Sequence, residues 1–146
     1  MQKDDKHYMQ EAIKEAKKAF VEGEVPIGAI IVCNNKIIAR AHNQVEILND
    51  STAHAEILAI TAAENFLGSK YLDDCTMYVT VEPCVMCAGA IHWSHIGRIV
   101  YGSVDPKKGY SVYNKDILKN TDVSKGVLSE ITTEIMVSFF EILREK

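Results

Sequence analysis

The chain has 146 residues, 47% hydrophobic and 25% charged, which suits one domain over residues 1–146 with a single sizeable core. No apolar run is long enough to span a bilayer, and the polar start MQKDDKHYMQ lacks the apolar centre of a secretory signal, so a cytoplasmic protein is expected. Lys and Arg number 16 against 20 Asp and Glu, a net charge of −4 that gives no global basic footprint for nucleic acid, although a local patch depends only on how the charges are distributed.

In chain order, residues 5–22 repeat Met9, Ala12, Ile13, Ala16, Ala19 and Phe20 at helical spacing, with Gly23 as the stop. IGAIIV (27–32) and KIIARA (36–41) read as two strands joined at Asn34-Asn35, a pair that tolerates the positive φ of a tight hairpin turn. A polar loop covers 43–52. Residues 53–66 are helical, with Ser51 or Thr52 as N-cap and Gly68 beyond the end. CTMYVTV (75–81) is a strand, and Pro83 opens a short helix to about Ser94, with the proline in its first turn. RIVYGS (98–103) is a strand, 104–120 a lysine-bearing loop with a short helical turn, and 122–124 a short strand. Leu128, Ile131, Ile135, Phe139 and Ile142 mark one face of a last helix. A hairpin followed by strand-helix alternation predicts a mixed sheet with helices on both faces, and ligand sites in such sheets lie where strand ends meet helix starts.

Two such junctions carry chemistry. Cys84 and Cys87 follow Pro83 as Cys-x-x-Cys at a helix start, where the dipole favours thiolate. A redox couple and a closed structural zinc site are two readings. The first expects a different strand context; the second needs four ligands, whereas Cys33 and Cys75 sit singly in strand patterns and read as inert buried thiols. The third reading, an open catalytic zinc site, needs one more protein ligand, and a histidine is the natural choice. His7 reads as solvent-facing and His42 as a hydrogen-bonded structural residue. His92 and His95 share a helix end and read as surface or packing residues. His54 differs, because it opens an apolar helix with Glu56 two residues on. On a helix, i and i+2 do not share a face, so both side chains must reach past the helix end.

His-x-Glu at one helix start and Pro-Cys-x-x-Cys at another resembles the signature of the zinc nucleobase deaminases. The wider match, EVPIGAIIV (24–32), Asn43, NDSTAHAEILAI (49–60), DCTMYVTVEPCVMCAGAI (74–91) and IGRIVYG (96–102), is similar to the bacterial tRNA-specific adenosine deaminases of the cytidine-deaminase-like superfamily. The resemblance implies an α/β fold, a three-layer α/β/α sandwich around a mixed five-stranded sheet, and a homodimer. It implies one Zn2+ per chain on His54, Cys84 and Cys87, with Glu56 as the catalytic proton shuttle. It also implies base contacts from Asn43 and the Ala55 backbone N–H, and a tRNA anticodon loop as partner rather than DNA or a membrane. The expected reaction is hydrolysis of the wobble adenosine to inosine with release of ammonia. Arg98, Asp105, Lys107, Lys108 and Tyr110 are candidate RNA contacts, with Lys115, Lys119 and Tyr113 nearby; solvated lysines and packing tyrosines are the plainer readings.

Where family members usually continue with small residues after Asp105-x-Lys107-x-Gly109, this chain has Tyr110-Ser111-Val112-Tyr113. That departure keeps a deaminase of a free base or nucleoside, of guanine or cytosine type, as the alternative, because pocket shape rather than the zinc motif sets the substrate. A zinc-stabilised binding module without activity is the third.

Overall fold

The computed structural model describes residues 3–145. The five strands β1 (Gly28–Cys33), β2 (Lys36–His42), β3 (Cys75–Val81), β4 (Arg98–Ser103) and β5 (Asp122–Lys125) form one sheet in the order β2-β1-β3-β4-β5. β1 is antiparallel to β2 and β3, while β3-β4 and β4-β5 are parallel. The sheet is therefore mixed and five-stranded, as expected. The hairpin closes at Asn34 (φ 52°) and Asn35 (φ 63°), both in the left-handed region that a tight two-residue turn requires.

Helices cover both faces. On one lies α1 (Asp5–Val21), capped by Asp4, whose Oδ1 accepts the His7 N–H at 2.8 Å. Its Tyr8, Met9, Ala12 and Ile13 pack on Ile30, Val32, Tyr78 and Val100, joined by Ile135 of α6 (Ser129–Arg144). The other face holds α3 (Ala55–Leu67) and α4 (Val85–Trp93). Ala55, Ala59, Ala63, Ala88 and Ile91 meet Ala29, Ile31, Met77, Val79 and Ile99 there. The strand alternation explains the split: Ile30 and Val32 point one way, Ala29 and Ile31 the other. Small alanines let α3 lie close to the sheet, so its N-terminus is held against the strand ends.

The 43–52 loop contains a four-residue helix, α2 (Val45–Leu48), which no local periodicity announced. The 104–120 loop holds the expected helical turn as α5 (Tyr110–Tyr113). α3 ends at Gly68, whose φ of 64° makes it the left-handed C-cap expected of a glycine there. No helix among the described residues is long and apolar enough to cross a membrane.

Candidate metal centre and cleft

α3 and α4 begin side by side at one end of the sheet, each two residues later than the sequence suggests. The N-cap of α3 is His54, not Ser51 or Thr52, and its extended backbone (φ −75°, ψ 152°) throws the imidazole off the helix end. The N-cap of α4 is Cys84 (φ −72°, ψ 172°), so Pro83 lies outside the helix. Tertiary pairing explains the second shift. Pro83 O accepts the Tyr110 N–H at 2.8 Å, and Cys84 forms an isolated bridge with Gly109, which keeps 82–84 extended. Neither His54 nor Cys84 caps its helix through its side chain; both are left free to face a shared ligand.

His54 Nδ1 lies 3.7 Å from Cys84 Sγ and 3.6 Å from Cys87 Sγ. All three donor atoms fall within 4.8 Å of one another. Tetrahedral zinc, with bonds of about 2.3 Å to sulfur and about 2.0 Å to nitrogen, places such atoms roughly 3.5 Å apart. The spacing and the His/Cys/Cys donor set therefore fit zinc, with one coordination position left open by the described residues. Glu56 stands beside the triad, 2% exposed, with Oε1 buried and without a hydrogen-bond partner among the described residues. A buried polar atom left unpaired is costly, and here it faces the place where a ligand would sit.

The electrostatics of the protein's own groups follow from crowding. The Cys87 thiol hydrogen-bonded to Cys84, with His54 close by, holds Cys84 down at about 4. The same contact and burial push Cys87 far above the usual thiol range. Cys84 in turn raises His54. Burial pushes Glu56 up to about 7, where a carboxyl group can both take and give a proton near neutrality.

Asn43 is 5% exposed and its Oδ1 accepts the Ala55 N–H at 2.8 Å. The two residues expected to contact a base are thus brought together and bonded to each other, so Asn43 also braces the start of α3. Two buried glutamates that the motifs did not single out tie down the surroundings. Glu24, 1% exposed, accepts the Glu46 and Ile47 N–H groups at 3.0 and 2.8 Å, capping α2 from outside. Glu82, 3% exposed, accepts the Asp105 N–H at 3.1 Å, the Ser111 N–H at 3.0 Å and the Ser111 hydroxyl at 2.6 Å. Gly109 packs onto that carboxylate so closely that any Cβ would collide with it. The only sequence signal for Glu82 was its place beside Pro83-Cys84 in the VEPC run.

His54, Glu56 and Cys84 floor an open cleft of about 1010 Å³. Its walls are Asn43, Glu82, the loop bearing Asp105, Lys107 and Lys108, and the outer face of α6 with Met136, Phe140 and Arg144. Lys107 and Lys108 are exposed, and Asp105 Oδ1 accepts both of their N–H groups, which makes it a turn residue. Two other candidates lie elsewhere. Arg98 heads β4 at the far end of the sheet, where Nη1 and Nη2 donate to Asp5 at 2.8 and 2.7 Å. Tyr110 is 6% exposed and packs edge-on against Tyr101 in the core, so its ring offers no stacking face. Two of the remaining histidines have local partners. His42 Nε2 lies 2.9 Å from Glu22, while His95 stacks on Tyr71 at 4.2 Å.

Comparison with known proteins gives consistent matches. The family model of the MafB19-like deaminases matches residues 3–144. The tRNA-specific adenosine deaminase of Bacillus subtilis is 48% identical over 97% of this chain and 92% of its own length. That of Aquifex aeolicus is 43% identical, over 94% and 95%. A solved structure from work on A-to-I editing by tRNA:A34 deaminases at the wobble position superposes with a TM-score of 0.84 at 41% identity, covering 88% of this chain and 98% of that one. A guanine deaminase from Nitrosomonas europaea shares the fold, with a TM-score of 0.84 at 21% identity.

Proposed function

The chain belongs to the MafB19-like deaminases and, within them, to the tRNA-specific adenosine deaminases, and from this we propose that it converts the wobble adenosine of a tRNA anticodon loop to inosine, with release of ammonia. One juxtaposition carries the reading: a His/Cys/Cys donor set and a buried, unpartnered glutamate oxygen meet at the floor of a cleft. In this reading His54 Nδ1 and the sulfurs of Cys84 and Cys87 would hold one zinc ion per chain. Bound there, zinc lowers the pKa of a coordinated water toward neutrality and so supplies a nucleophile.

Glu56 does the proton work. Its carboxylate takes the proton of the attacking water, delivers it to purine N1, and then serves the departing amine at C6, so that water is consumed and ammonia leaves. In the metal-free protein burial raises the Glu56 pKa, and a cation held beside it would favour the carboxylate that accepts the water's proton. Asn43 and the Ala55 N–H, bonded to each other in the free protein, would orient the base. The cleft is far larger than a purine and runs on from the floor to Lys107, Lys108 and α6, which favours a base presented on a polynucleotide over a free base. A cytoplasmic homodimer belongs to the same reading. Trp93 at 74% and Val85 at 40% exposure leave apolar surface on α4 that a second copy would cover.

The test is incubation of the zinc-loaded protein with tRNA bearing A34, beside a panel of free bases and nucleosides, followed by nucleoside analysis of the digested RNA. Inosine replacing one adenosine per tRNA is expected. Turnover of a free base without inosine in the tRNA would overturn the substrate assignment.

A further inference from the structure

Cys33 and Cys75 sit alone in their strand patterns, yet the fold sets them directly opposite each other. Cys33 ends β1, Cys75 starts β3, and the antiparallel register pairs the two. Their backbones turn away from one another. Cys75 donates its N–H to Leu72 O at 3.0 Å, and its carbonyl accepts the Gly97 N–H at 3.2 Å. Cys33 pairs with Lys36 across the two-residue turn, so its own peptide groups serve the hairpin. The Cys33–Cys75 pair is thus of the non-hydrogen-bonded kind, in which opposed Cα atoms stand about 4.5 Å apart and side chains come closest. That separation lies within the range a disulfide spans, about 4.4–6.8 Å.

Both side chains lie on the α3 side of the sheet, Cys75 in the core and Cys33 packed against it. Both are free thiols. Their exposure differs: Cys75 is 2% exposed, whereas Cys33 is only partly buried at the hairpin end. Burial, with the Cys33 thiol facing it, pushes Cys75 up to about 12, so Cys75 keeps its proton and Cys33 is the sulfur a dissolved oxidant meets.

We propose that Cys33 and Cys75 form a redox-reactive dithiol, which a peroxide converts to a disulfide joining β1 to β3. Cys33 gives up its proton to solvent and its sulfur attacks one peroxide oxygen; an S–O bond forms, the O–O bond breaks, and the departing hydroxide takes up one proton from solvent and leaves as water. The Cys75 sulfur then attacks the Cys33 sulfenic sulfur. An S–S bond forms, the S–O bond breaks, and hydroxide leaves with the Cys75 proton as a second water. Two thiols lose two electrons and one peroxide becomes two waters.

The site is separate from the metal centre. Cys75 and Cys84 flank opposite ends of β3, whose seven residues span about 20 Å. The bond closes a loop that carries β2, α2 and α3, and with them Asn43, His54 and Glu56. Restricting that loop in the unfolded chain stabilises the oxidised protein against unfolding.

The test treats the zinc-loaded protein with hydrogen peroxide and digests it without reductant. A linked peptide containing Cys33 and Cys75 is expected, two hydrogens lighter than its parts and released by dithiothreitol. A melting temperature higher by roughly 5 °C in the oxidised form is expected with it. C33S should abolish the linked peptide and the shift together. Recovery of Cys33 and Cys75 as separate peptides after peroxide treatment, with Cys33 carried on to sulfinic acid or with Cys84 or Cys87 in the disulfide instead, would overturn the proposal.

Discussion

The floor of the cleft is made of helix starts, whereas its rim is made of loops tied down by buried carboxylates. His54 and Glu56 leave α3 at its first residues, and Cys84 and Cys87 leave α4 in the same way, over strand ends that are 0–3% exposed at Val79, Thr80 and Val81. Nothing at the floor depends on a long side chain in solvent. The rim has no such rods behind it. The 105–111 loop owes its shape to three hydrogen bonds into Glu82, and the 43–54 loop to two into Glu24. Chemistry that needs donor atoms fixed to a few tenths of an ångström has been put on rigid elements. The rim, on which the proposed function places recognition of an RNA loop, consists of segments that two side chains hold in place.

The sharpest way to break this division is at its deepest carboxylate. Glu56→Gln keeps size and polarity but cannot carry the proton. Deamination is expected to fall by about 10²–10⁴-fold or more, with zinc content by metal analysis and the circular dichroism spectrum unchanged. Loss of zinc along with activity would make Glu56 a ligand and dissolve the distinction between the donor set and the shuttle.

A smaller effect is expected at the rim, and of a different kind. Glu82→Gln turns one acceptor oxygen into a donor that faces the Ser111 N–H and hydroxyl, so the loop loses its charge-assisted anchor. KM for tRNA should rise about tenfold, equivalent to ~1.4 kcal/mol, with kcat and zinc content nearly unchanged. Trypsin should also cut faster after Lys107 or Lys108. If kcat and zinc fall instead, Glu82 supports the floor, two residues from Cys84, and the two regions are one mechanical unit. Lys108→Ala probes the same rim more gently. Lys108 is exposed, and its charge is near enough to His54 to oppose, weakly, the rise that Cys84 produces there. A roughly threefold rise in KM and a shallower salt dependence of tRNA binding, reduced by about one counterion, are expected.

The same division decides how much could be read before any coordinates. The floor was legible because His54, Glu56, Cys84 and Cys87 fall in two short windows, each at a helix start, and spacing within a window is a local property. Strand order was partly legible for a similar reason, through the Asn34-Asn35 turn and the alternating apolar runs. What could not be read depends on pairs distant in sequence. Pro83 looks like a first-turn proline until Tyr110 and Gly109 are seen to hold it extended. Tyr110 looks like a stacking residue until Tyr101 covers it. Cys33 and Cys75 look solitary because the register that pairs them joins strands 42 residues apart (75 − 33). Arg98 is the plainest case: a basic residue in a family of RNA enzymes, but its partner is Asp5, at the other end of the chain.

That pair supplies the smallest predicted effect and the cleanest control for the comparison. The Arg98 guanidinium, donating through two nitrogens, holds the Asp5 carboxyl below its ordinary value of 3.8, aided by the Tyr78 hydroxyl. The folded state therefore binds the Asp5 proton less readily than the unfolded chain does. The resulting stability is fully present above about pH 4 and is lost as pH falls through the lowered folded value. Both side chains are about a third exposed, so solvent screens the pair and the contribution is modest. Arg98→Ala should lower the melting temperature by only about 2–4 °C at pH 7. The gap between variant and wild type should shrink as the protein is acidified below the ordinary carboxylate range. Because Arg98 sits at the head of β4, away from the cleft, KM for tRNA should not move; a rise matching that of Lys108→Ala would place Arg98 on the RNA path and extend the rim to the far end of the sheet.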